Sequence, residues 1–98
     1  MDIQFIYGVF DKTANTYLYI STASCDAVAK RNFYSTARLD PRSAVATYPN
    51  DFSLFALGEF NLRTGVISAF EAPNLLCPNA IPPEVVQGAM SKLDPAQL

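Results

Sequence analysis

The residues whose type and spacing suit chemistry lie between positions 30 and 42. Lys30, Arg31, Arg38 and Arg42 face only Asp40 there, a local balance of +3, and Tyr34 sits among them. Cations that meet phosphates beside a ring that stacks on a base are the chemistry of single-strand nucleic-acid binding, at about 1–3 kcal/mol per stacked base. The same residues also fit an ordinary solvated helix face, with Asp26 and Lys30 spaced as an i,i+4 pair. Tyr7, Tyr17 and Tyr19 pose the same choice. Aromatics on a flat strand form a stacking platform, or they pack in a core or a dimer seam.

Other chemistries find little to work with. Histidine is absent, so the commonest general base is missing and Cys25 has no activating partner, while Cys77 reads as a loop thiol. Two cysteines make neither a disulfide framework nor a zinc knuckle. Asp40 with Asp51, or Asp11 with Asp51, are conceivable carboxylate pairs, but isolated loop aspartates are turn formers first. Gly8, Gly58, Gly65 and Gly88 stand alone and build no phosphate loop. The expectation is a protein without catalytic residues, metal, cofactor or small-molecule substrate.

The chain has 98 residues, 50% hydrophobic and 12% aromatic. That length makes one domain burying about 60–65% of its unfolded surface. No run reaches the roughly 20 apolar residues of a bilayer span, and Met1-Asp2-Ile3-Gln4 lacks the basic start of a secretion signal, so a cytoplasmic protein is expected. The net charge is −2. Residues 1–70 are neutral, with six basic and six acidic residues, and residues 71–98 carry the whole excess. Such a chain cannot coat DNA as a polycation.

The elements that must position the basic segment follow from periodicity. Ile3 to Phe10 and Thr16 to Ser21 alternate as strands around the polar connection Asp11 to Asn15, with Tyr17 and Tyr19 on one face and Leu18 and Ile20 on the other. Ser24 is the expected N-cap of a helix reaching about Arg38, with Cys25, Ala29, Phe33 and Ala37 toward the sheet. Asp40-Pro41 ends it, and Arg42 to Asn50 is a loop. A strand then places Phe52, Leu54, Ala56 and Phe60 on one face and Ser53, Phe55, Leu57 and Glu59 on the other. Asn61 to Gly65 turns the chain, with Asn61 bonding the local backbone and Gly65 at positive φ, and a return strand runs to Phe70. The two hairpins read as different in turn and pattern.

The fold class expected is α+β, a ββαββ arrangement. Its two hairpins form a four-stranded antiparallel sheet with the helix on one face. The domain spans 1–72, and 73–98 is a Pro-rich acidic tail with a short helix at 83–93. The uncovered sheet face is rich in Phe and Tyr and calls for a partner, a homodimer by default.

The chain resembles the small nonstructural proteins of gokushoviruses, single-stranded DNA phages of the Microviridae. The resemblance rests on Val9-Phe10-Asp11-Lys12, Ala27-Val28-Ala29-Lys30-Arg31-Asn32-Phe33, Tyr48-Pro49-Asn50-Asp51-Phe52, Leu57-Gly58-Glu59-Phe60 and Thr64-Gly65, in that order over residues 3–73. It implies DNA binding in phage genome replication or single-strand genome production, in the host cytoplasm. The expected contact residues are Lys30, Arg31, Tyr34, Arg38, Arg42, Arg63, Tyr17 and Tyr19. The alternative is an interaction module that recruits or inhibits a replication protein through the aromatic sheet face.

Overall fold

The computed structural model describes residues 2–83. Its elements are β1 (Ile3–Asp11), β2 (Thr16–Ala23), α1 (Asp26–Leu39), α2 (Ala44–Thr47), a 3-10 turn at Pro49–Asp51, β3 (Phe52–Asn61) and β4 (Ile67–Cys77). The strands form one antiparallel sheet in the order β2-β1-β3-β4, and α1 joins the two hairpins. This is the expected ββαββ fold. Ala29, Phe33 and Tyr34 of α1 and Val45 of α2 pack with Tyr7, Val9, Leu54, Ala56 and Cys77 in the core.

The two hairpins turn in the same way, contrary to the sequence reading. Asp11 Oδ1 accepts the backbone N–H of Thr13 and Ala14, Asn15 N–H donates to Asp11 O, and Asn15 stands at φ 59°. Asn61 Oδ1 likewise accepts from Arg63 and Thr64, Gly65 N–H donates to Asn61 O, and Gly65 stands at φ 77°. An Asx side chain caps each turn, and Asn or Gly takes the left-handed position that other residues avoid.

Helix α1 starts one residue later than expected. Cys25, not Ser24, is its N-cap, and no side chain caps it. The first turn is fastened through Asp26, which accepts a hydrogen bond from the Tyr7 hydroxyl. At the other end Asp40 N–H donates to Thr36 O and Pro41 stops the helix. The expected loop after it contains α2, nucleated by Ser43, whose Oγ accepts from Ala46 N–H.

Two bulges overturn the simple alternation of strand faces. Phe10 pairs with Tyr17 but Val9 pairs with Tyr19, so Leu18 is an extra residue and the two tyrosines fall on opposite faces. Ile6 pairs with Gly58 but Tyr7 with Ala56, so Leu57 is extra and Phe60 lies opposite to Ala56. Strand β4 is irregular where Ala56 pairs with Asn74 and Gly58 with Ala69. Its backbone crosses Gly58 so closely that a Cβ there would lie 2.5 Å from Ser68 O.

Strand β4 runs past Phe70 to Cys77, with Pro73 tolerated because the strand is at the sheet edge. Pro78 O then accepts from Ser53 Oγ at 2.9 Å and Lys12 Nζ at 3.0 Å, and Ala80 N–H donates to Pro49 O. Ala80 is buried, so the packed body extends to Ala80 rather than ending at residue 72. The helix expected at 83–93 lies outside the described residues beyond Pro83.

Candidate nucleic-acid interface

Three of the expected contact residues meet in one place. Lys30, Arg31 and Tyr34, with Ala27, line a groove of about 380 Å³ whose other wall is Leu76, Pro78 and Pro83. Helix periodicity supplies one wall and the chain leaving β4 supplies the other. Among the described residues the only ion pair is Arg63 with Asp2, so the charges of Lys30, Arg31, Arg38 and Arg42 are not spent on described carboxylates. The Asp26 and Lys30 pairing that the spacing allowed is not formed. Asp26 holds Tyr7 instead.

Arg38 continues the stripe. It stands four residues beyond Tyr34, is exposed, and approaches Ser35 Oγ at 3.5 Å. Lys30 and Arg38 are two turns apart, about 12 Å along the helix. Tyr34 itself is 8% exposed, and its ring lies 5.6 Å from that of Phe33. Its hydroxyl is the hydrogen-bond partner of the Cys77 thiol. Burial pushes that thiol above its ordinary pKa, while the Tyr34 bond and the nearby Lys30 charge pull the other way. Tyr34 therefore closes the groove floor and offers no open ring face for stacking.

The remaining expected residues are dispersed. Arg42 is exposed in the turn after α1, where its N–H donates to Asp40 Oδ1. Arg63 sits in the β3–β4 turn beside the start of β1, where Asn61 pairs with Ile3. Strand β1 ends near α2 and Phe52, so the length of the sheet, about 30 Å, separates that turn from the end where α1 finishes. The Arg63–Asp2 contact of 3.5 Å is largely solvent-exposed and contributes little.

Tyr17 and Tyr19 cannot share a ligand strand. Tyr17 lies on the outer face, its ring centroid 5.0 Å from Phe10 and 6.1 Å from Phe55, and it covers Gly8. Tyr19 lies on the helix side, in a hollow with Val9, Ala29, Phe33 and Leu54. Asp11 and Asp51 do border one hollow beside Tyr48. Asp11 is occupied with the turn, and no group of three potential metal ligands occurs among the described residues.

A family model described as phage ORF5 protein matches residues 4–82, which takes in the four strands but for Ile3, both helices and the groove but for Pro83. The chain belongs to the phage ORF5 protein family. No curated protein and no solved structure matches it. Among the described residues, no helix of this phage protein is long and apolar enough to cross a membrane.

The groove wall of this ORF5-family protein was not legible in the sequence. Leu76, Pro78 and Pro83 read there as part of a tail, because prolines hide a strand continuing along a sheet edge. The signal available was the apolar run Leu75-Leu76-Cys77 soon after Pro73. The Tyr7–Asp26 bond was likewise invisible, since it joins residues far apart in the chain.

Proposed function

We propose that this phage protein is a nonenzymatic single-stranded DNA-binding protein of the gokushovirus type, acting in genome replication or single-strand production in the host cytoplasm. The observation that supports it is the α1 groove, where Lys30 and Arg31 stand free of described carboxylates beside apolar Leu76, Pro78 and Pro83. Phosphates pair with the two cations, Arg38 extends the contact along the helix, and sugars or bases lie on the apolar wall. So few cations give a small counterion release and a shallow salt dependence. Fluorescence anisotropy with a labelled single-stranded oligonucleotide over a salt series tests this. Binding at low salt with a shallow slope is expected, and no binding at any salt overturns it.

The alternative, a module that recruits or inhibits a replication protein, draws on the apolar outer sheet face. Retention of a defined replication protein after nuclease treatment of a host lysate favours that reading over DNA binding.

A further inference from the structure

The sheet has two faces of different character. Strand register places Gln4, Ile6, Gly8 and Phe10 of β1 on the face away from α1. Tyr17, Ile20 and Thr22 of β2 join them, as do Ser53, Phe55, Gly58 and Phe60 of β3 and Ile67, Ala69 and Leu75 of β4. None of these fourteen residues is charged, and all but the buried Ser53, whose Oγ is bonded to Pro78 O, belong to the surface turned away from α1 with no described side-chain hydrogen bond. Tyr17, Ile20, Ile67 and Leu75 are 39%, 65%, 67% and 50% exposed. The ring cluster of Phe10, Tyr17 and Phe55 stiffens the centre, and Gly8 lets Tyr17 and Leu57 lie flat there.

We propose that this face is the seam of a homodimer, in which two copies stack sheet on sheet about a two-fold axis. Among the described residues the one cation beside it is Lys12, at the end of the patch, where its Nζ shares Pro78 O with Ser53 Oγ. A single marginal cation makes it a poor surface for nucleic acid, whose binding draws on phosphate neutralisation. A broad apolar sheet surface is complementary to itself, and sheets stack face to face about 10 Å apart. Four strands about 4.8 Å apart and about 30 Å long present roughly 600 Å² per copy. Two copies therefore bury about 1,200 Å², the lower bound of a stable interface and above most lattice contacts. The pairing leaves both α1 helices on opposite outer surfaces. The dimer does not depend on the DNA reading, but if that reading holds the two basic grooves cannot merge and a dimer bridges two stretches of strand.

Sedimentation velocity of the full chain over a concentration series is the test, with Ile20→Glu and Leu75→Glu as variants. Wild type is expected to move from monomer to dimer, and each variant to remain monomeric with an unchanged far-UV spectrum. A monomeric wild type at every concentration overturns the proposal, as does a dimer that survives both substitutions. Should the Glu variants fail to fold, Ile20→Thr with Leu75→Thr keeps strand propensity and must raise the dimer dissociation constant at least tenfold. An unchanged constant places the contact elsewhere and overturns the seam.

Discussion

The Tyr7 hydroxyl, wholly buried in the middle of the sheet, donates a 2.8 Å hydrogen bond to Asp26 Oδ1 in the first turn of α1. It ties the central strand to the helix that carries the basic groove. Because Cys25 provides no side-chain cap, this bond is what anchors the helix start. Tyr7→Phe keeps the ring and removes the donor, and should cost about 1–2 kcal/mol, reduced from a fully buried charged bond because Asp26 is solvent-exposed. Urea unfolding at neutral pH measures it.

The same bond sets an alkaline limit. Burial, then the Asp26 bond, push the Tyr7 phenol well above its ordinary pKa. A raised folded pKa means stability is fully present below the unfolded value, about 10, and falls as pH rises from there toward the folded value. Urea midpoints should therefore drop steeply above about pH 10 in the wild type. Tyr7→Phe should flatten that decline, and an equally steep decline in the variant rules Tyr7 out as its cause.

Two glycines should respond to substitution for different reasons. Gly58→Ala drives a Cβ to 2.5 Å from Ser68 O, a backbone atom that cannot swing aside, and should cost about 3 kcal/mol or more. Gly65 has open space around it and only a positive φ, so Gly65→Ala should cost about 1 kcal/mol. Gly65→Asn should be milder still, because Asn15 holds the equivalent place in the other turn. Thermal melts of the three variants give the order.

That comparison also marks how far the sequence could be read. Gly65 and Asn61 were legible because a turn is local chemistry, and α1 was legible because Ala29 and Phe33 repeat at helical spacing. Face assignments failed at Leu18 and Leu57, where a bulge shifts the parity of everything after it without leaving a local mark. Tyr34 failed differently: its stripe reads as exposed until the chain after β4 folds over it. The groove was half visible, its cations on a periodic helix and its apolar wall in a stretch that prolines disguise.

The two thiols should separate cleanly. Cys25 is exposed at the helix start and Cys77 is wholly buried beside Tyr34 with its pKa raised by burial. A thiol reagent at neutral pH should modify one cysteine at once and the second only on unfolding. Prompt modification of both means that the segment carrying Leu76 and Pro78 lifts from α1, and the groove with it.

DNA affinity should depend on place rather than on charge alone. Lys30→Ala and Arg31→Ala each remove a groove cation, and each should weaken single-strand binding while lowering the salt slope by about one. Arg63→Ala removes the same charge from the β3–β4 turn, away from the groove, and should leave both affinity and slope nearly unchanged. Because Arg31 and Arg63 are exposed and Lys30 is only half-buried, the far-UV spectrum should stay constant throughout. If Arg63→Ala weakens binding as much as Arg31→Ala, the strand tracks net charge over the whole surface and the groove loses its claim.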